Sequence, residues 1–318
     1  MAAIFLYLAL RGLDWSSFAE VLGRTNYFIV ALIIFWSSGS YLLRAVRWRV
    51  LLSGQSPLSV SSVFWANMTG YLGNLVLPAR AGELVRAVYV ARKDAVPVAF
   101  ALAAGITERV VDLAALVLIG VVSLRADGAV PGSMQEALDF FSLAALAGIL
   151  FILFLPIIYP MLLRVVSNWG ISKSSLGLRM LALLESFVNG LRGISRLQKA
   201  TPFLIYTLLI WLMDGIGMTS LSLAMGGRLS LAQSFLLIAA LGISSAIPAT
   251  PGYVGVYQFV AVIVLTPLGF SRETSIAYIL LVQAINLIVV LVWGGAGLWI
   301  GTRSLLDEQQ PQTHEGMS

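Results

Sequence analysis

The sequence predicts an all-α polytopic membrane protein with about six transmembrane helices and two re-entrant helical hairpins, arranged as an inverted-topology repeat. Three observations indicate this fold class. Apolar residues make up 59% of the 318 residues and charged residues only 11%, whereas a soluble domain carries about a quarter charged residues. Long apolar segments recur at the length of a membrane span. Two further apolar segments are interrupted in their middles by glycine, proline and polar residues.

Five apolar segments are near or above the roughly 17–25 residues that a transmembrane helix needs. They are residues 27–43, 96–124, 140–163, 202–225 and 274–300. A shorter apolar run at 2–10 has no basic residues before it and no small-residue cleavage site after it, so it does not match a signal peptide. We interpret it as a shortened first span; an interfacial segment is the alternative.

Segments 60–90 and 231–269 are apolar enough to enter a membrane, but helix-breaking residues divide each of them. Non-helical backbone at membrane depth is tolerated only where protein or a water-filled cavity surrounds it. We therefore predict that each segment forms a helical hairpin that enters the membrane and returns to the same side. The residues expected to form the turns, and to act in gating, are Pro78 and Gly82 in the first hairpin and Pro248, Pro251, Gly252 and Gly255 in the second.

The distribution of arginine and lysine supports a first hairpin that returns to the cytoplasmic side. With that topology, twelve basic residues flank the membrane on the cytoplasmic side, including Arg44 and Arg47 in the loop after segment 27–43, and five on the opposite side. Short cytoplasmic loops are enriched in arginine and lysine, and a single crossing of segment 60–90 would divide these residues between the two faces. We therefore predict a multi-pass protein of the cell membrane with both termini in the cytoplasm.

The predicted elements of residues 1–125 follow the same order as those of residues 138–302, in the opposite orientation. The hairpin turns also match in letters, Pro-Ala-Arg-Ala-Gly at 78–82 and Pro-Ala-Thr-Pro-Gly at 248–252. We expect one membrane domain over residues 1–302, followed by a polar cytoplasmic tail at 303–318. Inverted repeats with broken helices occur mainly in transporters, which bind substrate near the membrane midplane.

Three charged residues, Glu108, Arg109 and Asp112, lie near the middle of segment 96–124. Helical spacing places Glu108 and Asp112 on one face. A charge at that depth costs at least ~2.5–3.5 kcal/mol on insertion scales, so it must face an interior partner or an aqueous cavity. Either these residues clasp helices together, or they line a substrate or proton pathway, the default for intramembrane ionisable residues. Asp214, central in segment 202–225, has the same two interpretations.

The first hairpin turn is flanked by the polar residues Asn74, Arg80, Glu83 and Arg86. Glycine and proline permit a turn whose half-helix ends point into a cavity. An arginine in such a cavity can bind a phosphate in a bidentate manner. The alternative is that Arg80 and Arg86 extend to the cytoplasmic interface and only anchor the hairpin there.

The second hairpin turn carries Tyr253, Tyr257 and Gln258 but no charged residue. These residues suit gating or hydrogen bonding better than the capture of an anion. Gln283 and Asn286 occupy the middle of the last apolar segment. They are either the uncharged counterpart of the Glu108 and Asp112 face or plain interhelical hydrogen-bonding residues.

The composition excludes several kinds of site. The chain has no cysteine, and His314 is its single histidine, in the predicted polar tail. A thiolate metal site, a histidine cluster and a Ser-His-Asp triad are therefore excluded, and we expect no metal and no cofactor. An intramembrane aspartyl protease could use Asp112 and Asp214, but neither has the sequence context of such an enzyme. Nucleic-acid binding is not expected, because the membrane topology accounts for the basic residues.

Three motifs in order along the chain resemble the lysylphosphatidylglycerol synthase transmembrane region family, which includes the flippase domain of the multiple peptide resistance factor. They are Asn74-x3-Pro78-x-Arg80-x-Gly82-Glu83-x2-Arg86, Glu108-Arg109-x2-Asp112 and Pro248-x2-Pro251-Gly252-x2-Gly255-x2-Gln258. The Arg47-Trp48 pair fits this family as well. The resemblance covers essentially the whole chain and implies a translocase for aminoacylated phosphatidylglycerol, another lipid or a polyprenyl-linked sugar. Family members often carry an acid in place of Gln258, which weakens a proton-coupling role for this turn.

We therefore expect a lipid flippase, and no synthase activity, since aminoacyl transfer belongs to a separate soluble domain in the family. In this hypothesis Arg80 and Arg86 meet the phosphate of the headgroup, and Arg109 holds the carboxylates in place. The acids that contact a cationic part of the headgroup or carry protons are Glu83, Glu108, Asp112 and Asp214. The alternative is a non-transporting, lipid-binding partner of a glycosyltransferase or lipid-modifying enzyme. The expected partners are a membrane lipid with a phosphate-containing headgroup, a membrane enzyme and a second copy of the chain.

Overall fold

The computed structural model describes residues 6–8, 10–53, 58–77, 81–126, 197–245 and 251–309, with scattered positions between 143 and 189. These residues form helices and short connections and no strand. The helices are α1 Trp15–Gly23, α2 Tyr27–Leu52, α3 Val60–Val76, α4 Gly82–Asp94, α5 Val98–Ala126, α6 Leu197–Ala224, α7 Leu231–Ser244, α8 Val256–Leu265 and α9 Arg272–Gln309. Part of the span predicted at 140–163 lies outside the described residues.

Three of the predicted spans are confirmed as helices long and apolar enough to cross a membrane, over Tyr27–Leu52, Lys199–Ala224 and Arg272–Gly301. Helix α5 has a similar length of 29 residues, and Glu108, Arg109 and Asp112 lie near its middle. Helix α2 continues beyond the predicted end at Leu43, because no glycine or proline occurs between Leu43 and Ser53. Arg44 and Arg47, which we expected in a cytoplasmic loop, therefore belong to a long helix.

The outer surface of the helix bundle is covered by large apolar side chains. Phe28 and Phe35 on α2 are 73% and 82% exposed, and Val122 on α5 is also exposed. Extended apolar surfaces of this kind are rare on soluble monomers. Lipid is therefore the solvent for this surface, and the all-helical, multi-pass part of the predicted fold class is confirmed.

Four shorter helices form two hairpins, α3 with α4 and α7 with α8, at the two segments predicted from the sequence. At the open end of the first hairpin, Ser62 Oγ donates to Asp94 Oδ2 at 2.5 Å. Helices α3 and α4 have 17 and 13 residues, or about 26 and 20 Å at 1.5 Å per residue. Helices α7 and α8, with 14 and 10 residues, are shorter than the ~30 Å hydrocarbon thickness as well.

The two hairpins open at opposite ends of the bundle. The first opens beside the end of α2, where Leu52, Leu58, Val90 and Val96 share one apolar cluster. The second opens beside the start of α2, where the Asn26 N–H donates to the carbonyl oxygen of Ala224 at 2.8 Å. The chain therefore enters the two hairpins beside opposite ends of α2.

Each hairpin packs against a long helix from the other half of the chain. Helix α3 packs against α9, α7 packs against α5, and α2 packs along α6. Glycines bring the first two pairs close: a Cβ on Gly294 of α9 would lie 2.8 Å from the Met68 carbonyl oxygen, and one on Gly242 of α7 would lie 2.4 Å from Leu116 Cδ1. The first helix of each hairpin is thus anchored against the long helix that follows the other hairpin.

The two ends of the chain differ in detail from the predicted boundaries. Helix α1 was not predicted; Asp14 begins it by accepting hydrogen bonds from the backbone N–H groups of Ser16 and Ser17. Helix α9 continues through residues 303–309, which we expected in the polar tail. Neither glycine nor proline interrupts the sequence between residues 302 and 309, so the helix continues beyond its apolar part.

Candidate functional site

A buried arginine joins the two acids predicted to share a face of α5. Arg47 of α2 donates from Nη1 to Asp112 Oδ1 at 2.5 Å and from Nη2 to Asp112 Oδ2 at 2.9 Å. The same Nη2 donates to Glu108 Oε1 at 2.7 Å, and Nη1 also donates to Thr207 Oγ1 of α6 at 3.2 Å. The predicted shared face of Glu108 and Asp112 is therefore a binding surface for Arg47.

A second buried arginine extends these contacts to the first hairpin. Arg86 of α4 donates from Nη1 to Glu108 Oε2 at 3.0 Å and to Asn67 Oδ1 of α3 at 3.1 Å. Its Nη2 lies 2.5 Å from Glu83 Oε2. Gly105 of α5 leaves room for this guanidinium, since a Cβ there would lie 2.8 Å from Nη2. Arg86 therefore ties both helices of the hairpin to α5 and does not extend outward as an anchor.

A further contact connects Glu83 to Arg109, which lies at the surface of the protein. Arg109 of α5 donates to Glu83 Oε1 from Nη2 at 2.6 Å and from Nε at 3.3 Å. The Arg109 side chain is 42% exposed, whereas those of Arg47 and Arg86 are buried. Six side chains of alternating sign are thus connected, and we call them the ionic network: Arg109, Glu83, Arg86, Glu108, Arg47 and Asp112.

The surroundings of the ionic network are apolar. The Arg86 guanidinium carbon lies 4.4 Å from the centre of the Trp48 ring, and that of Arg47 lies 5.3 Å from the Phe203 ring. Such contacts favour a desolvated guanidinium. Burial of unpaired ions costs several kcal/mol each, so removal of one partner leaves its neighbour strongly destabilised. The ionic network is therefore held by mutual pairing across α2, α4 and α5.

A separate ion pair joins α2 to α6. Arg44 Nη2 donates to Asp214 Oδ2 at 2.5 Å, and Ser40 Oγ donates to Asp214 Oδ1 at 2.7 Å. Asp214 is thus bound to a different arginine from Asp112. The catalytic dyad of an aspartyl protease needs two carboxyl groups close enough to share one proton. The separate pairing of these two aspartates disfavours that chemistry.

The second hairpin turn is held by two glutamines instead of charges. Gln258 Oε1 accepts a hydrogen bond from the Gly255 N–H at 2.7 Å, and its Nε2 donates to Gln283 Oε1 at 2.6 Å. Gln283 Nε2 in turn donates to the Gly252 carbonyl oxygen at 2.7 Å. Gly252 and Gly255 have φ values of 71° and 92°, which glycine adopts without strain. Gln258 and Gln283 therefore stabilise the break between α7 and α8.

Tyr253 and Tyr257 lie beside this turn. Their rings stack with a centroid distance of 4.7 Å and an interplanar angle of 7°. Tyr253 has a φ of 56°, an uncommon value for a residue with a Cβ. The turn Pro251–Tyr253 packs against α3 of the first hairpin. The second hairpin turn thus contacts the helix that leads into the first.

The structure brings five of the eleven predicted substrate-binding residues together. Glu83, Arg86, Glu108, Arg109 and Asp112 belong to the ionic network. The Asn74 side chain lies at the start of α4, where a Cβ on Gly82 would be 2.6 Å from Asn74 Oδ1. Pro78, Arg80 and Pro248 lie outside the described residues.

Sequence analysis missed Arg44 and Arg47 as site residues. The prediction that they lie in a loop is wrong, because α2 continues past them to Leu52. The signal that could have found them is the absence of a helix breaker between Leu43 and Ser53. We interpreted the arginines at the end of this apolar helix as lying at the membrane surface. In the structure they are paired instead with carboxylates of neighbouring helices.

Long apolar helices with an apolar outer surface, enclosing a buried ionic network, define a polytopic α-helical membrane protein. The chain belongs to the family of lysylphosphatidylglycerol synthase transmembrane regions, which it matches over residues 1–294. The resemblance inferred from its motifs is thereby confirmed.

Two relatives of this chain come from archaea. It is 26% identical to a protein of Haloferax volcanii named glycosyltransferase AglD, over 93% of this chain and 52% of that protein. It is 21% identical to the UPF0104 membrane protein MJ1078 of Methanocaldococcus jannaschii, over 76% of this chain and 99% of that protein. The chain therefore spans about half the length of the Haloferax protein. No solved structure matches it.

Proposed function

We propose that the protein is a lipid flippase, a transporter that moves the phosphate-containing headgroup of a phospholipid or polyprenyl-linked lipid across the cell membrane. The observation that carries this proposal is the ionic network, in which six charged side chains meet among apolar helices. One ion pair is enough to clasp two helices. A larger set of ionised groups inside a membrane domain is expected at a substrate or ion pathway.

In this proposal the two hairpins are re-entrant and enter the membrane from opposite faces. Their opposite open ends and the shortness of their helices support this topology. The exchanged packing of α3 with α9 and of α7 with α5 supports an inverted repeat of residues 1–125 and 138–302. Substrate sites of such transporters lie between broken helices near the membrane midplane. Both termini are then cytoplasmic.

Side-chain contacts connect each hairpin to the next long helix, which suggests how the pathway changes its access. Arg86 of α4 binds Glu108 of α5, and Gln258 of α8 binds Gln283 of α9. We propose that headgroups pass between the hairpin turns while acyl chains stay in the bilayer. The charged pair holds the first hairpin to α5 beside this path, and the neutral pair permits the second hairpin to move without separating charges.

Reconstituted vesicles test this proposal. Proteoliposomes that contain wild-type protein are expected to move fluorescent phospholipid headgroups between leaflets faster than protein-free vesicles. Glu108→Gln and Arg80→Ala are expected to slow this movement at least tenfold, because each removes a charge assigned to the pathway. Glu20→Gln is the control, since Glu20 is exposed and paired with Arg24 outside the ionic network. Equal flipping by wild-type, Glu108→Gln and Arg80→Ala protein would contradict the proposal.

The Haloferax relative favours a second candidate function. That protein is named a glycosyltransferase, and this chain matches about half of its length. A chain of this family could therefore bind a lipid-linked sugar and present it to a glycosyltransferase, without transport. This candidate predicts that a membrane enzyme co-purifies with the protein, and that the purified protein flips no lipid. Flipping by the isolated protein would exclude it.

A further inference from the structure

Arg109 lies on an outward-facing apolar stripe of α5. Ile106 and Leu113, about one helical turn before and after it, are 52% and 40% exposed, and the Arg109 side chain is 42% exposed. We propose that Arg109 is a lateral binding site for the phosphate of a membrane lipid that approaches α5 from the bilayer. This inference rests on the proposed function in one respect: α5 must cross the membrane.

The depth of Arg109 along α5 favours a polar ligand in addition to Glu83. It lies eleven residues after Val98, the first residue of α5, or about 16 Å along the helix axis at 1.5 Å per residue. That distance is about half of a ~30 Å hydrocarbon layer. An arginine exposed to lipid at this depth carries a large desolvation cost unless a polar group pairs with it. A headgroup that meets it there would offset this cost.

The guanidinium of Arg109 has donors available for such a group. Its Nε and Nη2 both donate to Glu83 Oε1, and Nη1 has no hydrogen-bond partner among the described residues. A guanidinium presents its N–H groups in a planar fork that matches two phosphate oxygens. Arg47 and Arg86 cannot serve in this way, because their side chains are buried and bound to carboxylates.

The charge pairing also restricts the ligand. The ionic network and the Arg44–Asp214 pair contain four acids, and an arginine already binds each of them. These acids are Glu83, Glu108, Asp112 and Asp214. A cationic headgroup amine would have to displace one of these arginines. A phosphate only has to compete with Glu83 for the exposed Arg109. The chemical class that the site accepts is therefore a lipid phosphate, with no recognition of an amine.

Lipid retention measured by native mass spectrometry tests this site in the full-length protein. The probes are phosphatidic acid and diacylglycerol with the same acyl chains, which differ by the phosphate. Wild-type protein is expected to retain phosphatidic acid in preference to diacylglycerol. Arg109→Gln is expected to weaken phosphatidic acid binding about tenfold, the loss of one charge-assisted contact. Arg24→Gln, at an arginine of 77% exposure outside the bundle core, is the matched control and is expected to bind as wild-type.

Glu83→Gln distinguishes a ligand site from a structural ion pair. Because Glu83 competes with the phosphate for Arg109, its removal is expected to tighten phosphatidic acid binding severalfold. A purely structural role would make Glu83→Gln and Arg109→Gln weaken binding alike, and that outcome would overturn the proposal. So would retention of phosphatidic acid by Arg109→Gln protein at the wild-type level.

Flipping assays on the same preparations separate this site from the proposed function. If phosphatidic acid binding depends on Arg109 but the wild-type protein flips no lipid, the site stands and the flippase proposal fails. If the wild-type protein flips lipid and Arg109→Gln changes neither binding nor rate, the flippase proposal stands and the site fails.

Discussion

Arg47 and Glu108 are 61 positions apart in sequence, yet their Nη2 and Oε1 atoms lie 2.7 Å apart in a buried contact. This contact fastens α2 to α5, and Arg86 uses the other oxygen of the same carboxylate to attach the first hairpin. Glu108 is thus the shared acceptor of two arginines from two different helices. The stability of the whole ionic network should depend on it and on Arg47.

Replacement of Arg47 by methionine is expected to destabilise the protein by about 3–5 kcal/mol, because Glu108 and Asp112 lose their main partner in a buried environment. Thermal unfolding in detergent measures this loss. Arg24→Met is the matched control and should be nearly neutral, since Arg24 is exposed. The double variant Arg47→Met/Asp112→Leu should regain part of the lost stability, because Asp112 is then no longer a buried unpaired charge and Glu108 keeps Arg86 as its partner. An unfolding temperature of Arg47→Met equal to that of the wild type would contradict the ion pairs of Arg47 with Glu108 and Asp112.

Gly82 should tolerate no side chain. A Cβ there would lie 1.9 Å from the Gly70 carbonyl oxygen and 2.6 Å from the Asn74 nitrogen, both backbone atoms of α3. Gly82→Ala must separate α3 from α4, and we expect a loss at or above the ~1–3 kcal/mol typical of overpacking. Unfolding temperature is the measurement, and Gly23→Ala is the control because no atom lies within 4 Å of its added Cβ. Equal effects of the two substitutions would show that the hairpin is not closely packed.

The contact between α7 and α5 can be tested by a compensating pair. A Cβ on Gly242 would collide with Leu116 Cδ1 at 2.4 Å, so Gly242→Ala is expected to cost about 1–3 kcal/mol. Leu116→Ala removes buried apolar atoms and is expected to cost about 2–5 kcal/mol. The double variant should be less destabilised than the sum of the two, by about 0.5–3 kcal/mol in a double-mutant cycle. Strict additivity would mean that the helices do not meet at these residues.

Gln258 and Gln283 should also be coupled. Gln258→Leu leaves the Gly255 N–H and the Gln283 side chain without their partner, and a buried unsatisfied group costs about 1–3 kcal/mol. Each single variant leaves the amide of the other glutamine without its partner. The double variant Gln258→Leu/Gln283→Leu removes both amides and should therefore cost less than the sum of the single changes. Unfolding in denaturant gives the four values of the cycle. A zero coupling energy would contradict the observed bond.

The hairpins could be predicted from sequence because their signals are local. Proline and glycine at 78–82 and 248–255 break the helices wherever the surrounding helices lie, and the structure has helix ends at Val76, Gly82, Ser244 and Val256. The placement of Glu108 and Asp112 on one helix face also follows from helical spacing alone.

The partners of these acids could not be predicted in the same way. Arg47 lies at the polar end of an apolar segment, where hydropathy alone indicates the membrane surface. Its burial follows from the packing of α2 against α5 and α6, which is a long-range property. Interhelical hydrogen bonding was likewise only one of two interpretations of Gln283, and spacing alone could not identify Gln258 as its partner.

The pairing of the intramembrane ions has an electrical consequence. In the ionic network Arg47, Arg86 and Arg109 offset Glu83, Glu108 and Asp112, and Arg44 offsets Asp214. A membrane potential does about 2.3 kcal/mol of work per elementary charge per 100 mV, but displacing these balanced groups together transfers zero gating charge. In the proposed flippase, any transport current would therefore be carried by the cargo, and an electroneutral lipid is expected to cross at a rate independent of voltage.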